Sequence, residues 1–387
     1  MLRAPPRPYR AREQAGIGEV NRLLTRGTAP VLHGLIQSPQ MQENAMNYRL
    51  LGRTGLRVSE LCLGTMTFGA GFFNIATVDQ AGADEMVGRA IGAGVNFFDT
   101  ADVYSFGQSE EIIGRALKNS GSTREAVIIA TKVFSPMSEA AWKGTGDVNN
   151  RGLSRKHIIA ACEASLKRLD TDYIDLCQAH GFDLLTPIEE TLRAFDDLVR
   201  QGKVRYLGLS NWPVRHIAKA QTMAGERGWE KFVSLQAYYS LAGRDLEHEL
   251  LPLCREEGLG VLPWSPLSGG FLTGKYRRDA AAPAGARRTG FDFPPIDARA
   301  DDAVDALEAV AQAKKASIAQ VALAWLLAQP GVTSVIIGAN KMSQLADNLQ
   351  AVDVQLTAEE LDKLSATTAP PTLYPQWMVE RQNAGRQ

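Results

Sequence analysis

The chain has 387 residues, 45% apolar and 22% charged, an ordinary balance for a protein that folds in water. Lys and Arg number 42 against 43 Asp and Glu, and the net charge of −1 excludes the basic signature of most nucleic-acid binders. No apolar run approaches the roughly 18 residues of a membrane span; the four Cys form no C-x-x-C pair and the five His no H-x-x-x-H pair, which excludes a disulfide scaffold, a zinc knuckle and a zincin site. A soluble, cytoplasmic-type chain is expected, with no membrane and no metal in its function.

Residues 1–45 differ in composition from the rest of the chain. Six Arg (Arg3, Arg7, Arg10, Arg12, Arg22, Arg26) stand against three acids (Glu13, Glu19, Glu43), and Pro5, Pro6 and Pro8 cluster at the start. No apolar stretch is long enough for a secretory signal. The segment reads as a disordered extension or as sequence upstream of a natural start at Met46. A single domain is expected over 46–387.

From Tyr48 the pattern becomes regular. A Gly-Arg-Thr-Gly turn at Gly52–Gly55, flanked by apolar residues, predicts a β-hairpin. Eight strands are predicted after it: Leu61–Thr65, Val95–Thr100, Val127–Thr131, Tyr173–Gln178, Val204–Leu209, Phe232–Gln236, Gly260–Pro263 and Val335–Gly338. Helix-period segments between them include Ala81–Ile91, Ser109–Leu117, Ser154–Leu169, Ile188–Arg200, Val214–Thr222, Ile318–Leu327 and Ser343–Leu349. In the third of these, Ile158, Ala161, Cys162, Ser165, Leu166 and Leu169 form one stripe, as in a helix docked on a sheet. Strands alternating with helices imply parallel pairing and right-handed crossovers. Eight such units fit a (β/α)8 TIM barrel. A doubly wound sheet is the alternative, but Met66-Thr-Phe-Gly-Ala after the first strand lacks the G-x-G-x-x-G of a dinucleotide turn.

Barrel chemistry sits where strands end. The second strand ends in Asp99, with Tyr104 in the loop after it; the third ends in Thr131-Lys132; the fourth runs into Gln178-Ala-His180. Later strands end in Ser210-Asn211, Gln236 and Trp264-Ser265. Singly, each has a dull explanation, such as an Asp that caps the next helix. Together they form a proton-donating set. A Tyr phenol titrates near 10, and a neighbouring Lys ammonium is expected to lower that value. Asp99 would orient Lys132, and His180 would bond the same substrate oxygen. No nucleophile or metal accompanies them, so a hydride from a nicotinamide would have to attack the carbon.

These residues fall in motifs. Phe98-Asp-Thr-Ala-Asp-Val-Tyr104, Gly107-Gln-Ser-Glu-Glu111, Ala130-Thr-Lys132, Asp172-Tyr-Ile-Asp-Leu-Cys-Gln-Ala-His180, Gly208-Leu-Ser-Asn-Trp212, Trp264-Ser-Pro-Leu267 and Ile337-Gly-Ala-Asn340 follow one another in order. In this set, from about Tyr48 onward, the chain resembles the aldo-keto reductase superfamily. Within it, the chain resembles bacterial-type members that are aryl-alcohol dehydrogenase-like or potassium-channel beta-subunit-like. The resemblance implies a catalytic tetrad of Asp99, Tyr104, Lys132 and His180, with Tyr104 as proton donor. It implies that Ser210, Asn211 and Gln236 hold the nicotinamide carboxamide and that Trp264 stacks on the ring. Gly64, Thr65, Met66 and Asp99 would lie beneath the cofactor. Ser265, Pro266, Leu267 and Lys275 would contact it further along, and Gly338, Asn340, Gln344, Asp347 and Asn348 would surround the adenosine. NADPH is the expected cofactor, with NADH as the alternative. Lys275, Arg277, Arg278, Arg287, Arg288 and Lys341 are the cations available to its 2′-phosphate.

Gly269-Gly-Phe-Leu-Thr-Gly-Lys275 imitates a P-loop, but Tyr276 stands where Ser or Thr would bind Mg²⁺. A pocket mouth is expected from Phe68, Phe72, Phe73, Phe134, Trp142, Phe182, Trp212, Tyr374 and Trp377, with 135–152 as a lid. Such a mouth suits a hydrophobic or aryl aldehyde or ketone. Two other readings compete: a nicotinamide-binding regulatory subunit with little turnover, and a lyase or isomerase using Lys132 as a Schiff base. Oligomeric state is not legible.

Overall fold

The computed structural model describes residues 46–386 except 74, 279–280, 284–285 and 297. The expectation of a disordered extension over 1–45 lies outside the described residues. The chain opens with the hairpin β1 (Tyr48–Leu50) and β2 (Arg57–Ser59), which pair antiparallel with Arg49 opposite Val58. Next come β3 (Leu61–Gly64), α1 (Gln80–Gly92), β4 (Phe97–Asp99), α2 (Gln108–Asn119), β5 (Ile128–Val133), the single turn α3 (Glu139–Trp142), α4 (Arg155–Leu169) and β6 (Ile174–Ala179). The second half runs α5 (Ile188–Arg200), β7 (Val204–Ser210), α6 (Val214–Arg227), β8 (Phe232–Tyr238), α7 (Leu250–Glu257), β9 (Gly260–Trp264), the short α8 (Arg287–Gly290), α9 (Ala300–Lys314), α10 (Ile318–Leu327), β10 (Val335–Ile337), α11 (Met342–Leu349), α12 (Ala358–Thr367) and α13 (Gln376–Asn383).

Strands β3 to β10 form one parallel sheet in the order β10-β3-β4-β5-β6-β7-β8-β9. Its two edges meet: the Val261 amide donates to Gly331 O (3.2 Å) and the Thr333 amide to Val261 O (2.8 Å). The sheet therefore closes into the (β/α)8 barrel. All eight predicted strands are present, with ends shifted by a residue or two. Ser154 is the N-cap of α4, its hydroxyl accepting from the His157 amide, and Ser317 with Gln320 forms a capping box at α10. Helices α7, α9, α12 and α13 were not singled out in the sequence. Pro252 interrupts the pattern of α7, and half of the buried side of α9 is alanine (Ala300, Ala303, Ala311), beside Val304, Leu307 and Val310. Among the described residues no helix is long and apolar enough to cross a membrane.

Alternation along the strands sorts side chains into two cores. Leu61, Leu63, Phe98, Ile129 and Cys177 face the surrounding helices. Cys62, Phe97, Ile128, Ala130, Leu176, Leu262 and Ile336 fill the barrel, and Leu51 and Val58 of the hairpin seal it from the N-terminal end. Asp99 lies two residues beyond Phe97, Lys132 two beyond Ala130 and Gln178 two beyond Leu176. The period of two thus lifts three polar groups into the barrel directly above its apolar filling.

The hairpin turn fits tightly under this plug. Gly52 has φ +57°, and a Cβ there would lie 2.3 Å from Val233 O and 2.6 Å from Gly258 O. A Gly52→Ala substitution is expected to destabilise the protein by about 2 kcal/mol or more, from left-handed strain and backbone clash combined. Chemical denaturation of the two proteins checks this; equal midpoints would contradict the seal.

Candidate active site

The centre of the site is a buried ion pair. Lys132 is 1% exposed, and its ammonium donates to Asp99 Oδ1 (2.5 Å), Thr100 O (2.7 Å) and the Tyr104 hydroxyl (3.3 Å). The other Asp99 oxygen accepts from Gln178 Nε2 (3.0 Å) and Gln236 Nε2 (2.8 Å). All three ammonium donors have a partner, which is the condition for keeping such a charge out of water. Burial alone would lower the Lys132 pKa, but the Asp99 carboxylate and Tyr104 outweigh it and the net shift is upward.

Tyr104 departs from expectation. Its phenol is pushed up from the ordinary value, first by burial and then by Asp99, although Lys132 pulls the other way. The ammonium is already engaged by Asp99, so its effect on the phenol does not offset the desolvation of a buried phenolate. His180 is held down at about 3 by burial and by the Lys132 charge, so the imidazole is neutral. Its Nδ1 is buried without a partner, its ring meets Tyr104 edge-on at 5.8 Å, and its carbonyl accepts from Asn211 Nδ2 (3.2 Å). The tetrad named from the sequence is thus one cluster.

The loop carrying Tyr104 has unusual backbone. Ser105 (φ 47°), Phe106 (φ 50°) and Gly107 (φ 96°) are consecutive left-handed residues, a conformation that costs non-glycine residues of order 1–3 kcal/mol each unless the surroundings impose it. Ser105 Oγ donates to Phe68 O (3.1 Å), and Ser109 Oγ lies 2.8 Å from Thr65 Oγ1 and 3.0 Å from Thr100 Oγ1. Asp102 is buried, with one oxygen accepting from the Val103 amide (2.6 Å) and the other without a partner. Burial and the nearby Glu110 push its carboxyl well above the usual carboxylate range.

The residues proposed for a cofactor are placed unevenly. Gln236 and Gln178 are both used as props of Asp99; the Gln178 role was missed in the sequence, though the residue stands in the His180 motif. Ser210, Asn211 and Trp264 are linked, Asn211 Nδ2 donating to Ser210 Oγ (3.0 Å) and Trp264 Nε1 to Asn211 Oδ1 (3.0 Å). Gly64 packs against Ile336 and has no room for a Cβ, Thr65 is buried, and Met66 packs, as Tyr104 does, against the cluster of Phe72, Ala76, Ala101 and Val103. Beyond β9, Ser265 Oγ accepts from the Gly269 amide (3.1 Å), Pro266 is buried, and the Leu267 carbonyl accepts from Gly270 (2.9 Å). The P-loop look-alike forms 3-10 turns over Ser268–Thr273, and no helix begins directly after it. At the far end, Gln344 Oε1 accepts from the Asn340 and Lys341 amides (2.9 and 3.2 Å) as a cap of α11. Asp347 ties α11 to Ser317 and Gln320 (both 2.8 Å), and Asn348 reaches Gly338 O (3.4 Å).

The six cations separate clearly. Arg277 pairs with Asp305 and Glu308, Arg278 with Asp301 and Asp302, and Arg288 with Asp292. Lys275, Arg287 and Lys341 have no acidic partner among the described residues. Arg287 Nε is buried and unbonded, and burial lowers both the Lys275 and Arg287 pKa, each further depressed by a neighbouring cation. Gly269 and Gly270 take positive φ beside them, and a Cβ on Gly270 would meet Lys275 Nζ at 2.8 Å. Unpaired donors around a side-chain-free cradle fit an anionic, phosphate-bearing ligand. Among the described residues no group of three or more His, Cys, Asp or Glu could hold a metal.

The mouth differs in membership from the predicted set. Phe72 lies against Tyr104 (5.8 Å) and Phe73 (4.6 Å), and Trp142 meets Phe73 (6.4 Å). Phe73 and Trp142 are exposed and Phe72 is largely buried, whereas Phe68 and Trp212 are sealed in the packing under the loops, because Phe68 lies beneath the Ser105 turn and the Trp212 indole donates to Gly181 O (2.9 Å). Phe182 stacks on His216 (3.9 Å), and Tyr374 pairs with Trp377 (5.9 Å) on the exposed tail. Phe134 touches the chain at Gly181. The 135–152 segment is closed at its base by the Gly152 amide donating to Phe134 O (2.7 Å). Three aromatics went unnoticed in the sequence. Phe106 lies edge-on to Phe72 (6.4 Å), Phe291 stacks on Phe73 (5.1 Å), and Phe293 stacks on Trp264 (5.7 Å).

Comparison with known proteins places this architecture. Residues 60–368 match the sequence profile described as the Aldo/keto reductase family. An "Uncharacterized oxidoreductase" of Bacillus subtilis is 41% identical over 324 residues, covering 83% of this chain and 95% of that protein. A "Probable voltage-gated potassium channel subunit beta" of Oryza sativa subsp. japonica is 41% identical over 330 residues, 83% of this chain and 96% of that protein. A "Versiconal hemiacetal acetate reductase" of Aspergillus parasiticus is 36% identical over 347 residues, 85% and 99% respectively. With a profile match spanning most of the barrel and full-length relatives at this identity, the chain belongs to the aldo/keto reductase family.

Proposed function

We propose that this protein is an NADPH-dependent oxidoreductase that reduces aldehydes or ketones to alcohols, with Tyr104 as the proton donor and the barrel of residues 46–387 as the whole functional unit. The observation that carries this reading is the Lys132 ammonium shared between Asp99 Oδ1 and the Tyr104 hydroxyl at 2.5 and 3.3 Å. The relatives named as oxidoreductase and reductase support it. A bound nicotinamide supplies the hydride in such a reaction. Ser210, Asn211 and Trp264 would hold its carboxamide end; Ser265 to Leu267 and Lys275 would hold the pyrophosphate; Arg287 would meet the 2′-phosphate; and Asn340, Gln344 and Asn348 would line the adenosine.

The chain's own part is proton chemistry. Tyr104 donates its phenolic proton to the carbonyl oxygen as negative charge develops there. Lys132 stabilises the phenolate left behind, and Asp99 holds Lys132 in place. Neutral His180 bonds the same oxygen and fixes which face of the carbonyl is presented. The phenol is the stronger choice of acid here because it stays protonated through neutral pH. A Schiff-base role for Lys132 requires a neutral amine, and Asp99 keeps this one charged. The aromatic wall of Phe72, Phe73 and Phe106 favours a substrate with an apolar or aryl body.

Tyr104→Phe is expected to bind NADPH as the parent does and to lose about 100-fold or more in kcat; near-normal turnover would remove Tyr104 from the mechanism. Tight NADPH binding by the parent with no turnover across a carbonyl panel would instead favour the regulatory reading suggested by the channel-subunit relative. The pH profile is set by the shifts. Reduction needs the protonated phenol, so its rate holds below the raised Tyr104 pKa and falls as pH climbs through it, while alcohol oxidation gains over the same range. Between about pH 6 and 9 the reduction profile is expected to be flat, since His180 has already lost its proton well below the ordinary His value; a limb near pH 6.5 would contradict the neutral imidazole. Arg287→Met is expected to weaken NADPH about tenfold or more and NADH little, in line with the worth of a charge-assisted phosphate contact, and parallel fluorescence titrations check it.

A further inference from the structure

A 3.3 Å contact is long for a hydrogen bond and cannot by itself hold Tyr104 against Lys132. The left-handed turn that carries Tyr104 must be held from elsewhere. It runs directly into α2, whose third residue, Glu110, is fully buried. One Glu110 oxygen accepts from Thr131 Oγ1 (2.5 Å) and the other from Arg168 Nε (2.7 Å). Thr131 is the neighbour of Lys132 on β5. Strand alternation turns Lys132 into the barrel and Thr131 out towards α2, so Glu110 grips the strand one residue from the ammonium.

The result is a closed circuit. Tyr104 connects to Glu110 through six peptide links, Glu110 to Thr131 through a hydrogen bond, Thr131 to Lys132 through one peptide link, and Lys132 back to Tyr104. Arg168 completes the brace. Its Cδ occupies the space beside Gly107, where a Cβ would approach to 2.7 Å, and its guanidinium also reaches Ser165 Oγ (3.3 Å). A second tie runs alongside, the Asp102 amide donating to Lys132 O (3.2 Å). A buried ion pair of this kind is a poor device for stability, since an apolar pair of the same shape serves as well or better. It is a good device for fixing geometry, because both of its ends are directional.

Resting on the reading of Tyr104 as proton donor, we propose that Glu110, braced by Arg168, is the positioning residue that sets the Tyr104 hydroxyl against the Lys132 ammonium. Glu110 touches neither substrate nor cofactor and acts only through the turn and through Thr131. Its loss therefore lowers turnover without altering nucleotide binding. The effect disappears when the phenol itself is gone.

The test is a double-mutant cycle on the full chain, with NADPH and 4-nitrobenzaldehyde as the probe pair. Glu110→Gln is expected to keep the parent NADPH affinity within about twofold while kcat falls about tenfold or more. In the Tyr104→Phe background the same substitution is expected to change the residual rate by less than about twofold. Thr131→Val, which cuts only the bond to the strand, is expected to show the same pattern more weakly, and serves where Glu110→Gln does not yield a folded protein. Equal losses in both backgrounds, or full kcat in Glu110→Gln, would overturn the positioning role and leave the proton-donor reading intact. Near-normal turnover of Tyr104→Phe alone would overturn both.

Discussion

A lysine ammonium enclosed in a β-barrel is the constraint around which this molecule is arranged. A charge in that position is tolerated only when every donor is met and a counter-charge lies in contact. Asp99 supplies the counter-charge, the Thr100 carbonyl and Tyr104 hydroxyl take the other two donors, and Gln178 and Gln236 occupy the remaining carboxylate oxygen. Four strands thus contribute one side chain each to a single cluster. The cluster in turn needs a rigid floor, which the Phe97, Ala130 and Leu176 layer provides and the hairpin seals from below.

Above the ion pair the structure becomes a matter of loops. The β4 loop makes a sharp left-handed turn to present Tyr104, and polar side chains beneath it hold that turn in place. The loop after β3 and the segment after β9 meet above it through Phe73 on Phe291, and Trp264 is covered by Phe293. One end of the site is therefore apolar and the other cationic, with Lys275 and Arg287 lacking an acidic partner among the described residues while their neighbours Arg277 and Arg278 are engaged by α9. The division suits a substrate with an apolar body on one side and a phosphate-bearing cofactor on the other.

Much of this was legible in the residues. Strand and helix alternation implied the barrel, since a period of two and a period of 3.6 are distinct signals even in a single sequence. The motif around Asp99 and Tyr104, with Lys132 and His180 on the next strands, named a cluster that the fold does bring together. Less legible were the partners that carry no chemistry of their own. Gln236 looks like a binding amide in sequence and Gln178 attracts no notice there; in the barrel both donate to Asp99. Helix α9 escaped notice because half of its buried side is alanine.

Residue type and spacing alone were enough to specify the fold class, the ionisable groups and the order in which strands deliver them, because those depend on local periodicity and on side-chain chemistry. Three things were decided only by the folded chain. The Tyr104 phenol is shifted up and not down, because desolvation depends on what surrounds the ring and no local pattern reports it. Phe68 and Trp212 are buried while Phe106, Phe291 and Phe293 join the mouth, because loop packing sets exposure. Of the six candidate cations, Arg277, Arg278 and Arg288 are paired with acids, whereas Lys275, Arg287 and Lys341 have no acidic partner among the described residues. For Arg277 and Arg278 that choice rests on which acids of α9 come within contact, which the sequence by itself does not report; Arg288 pairs locally with Asp292.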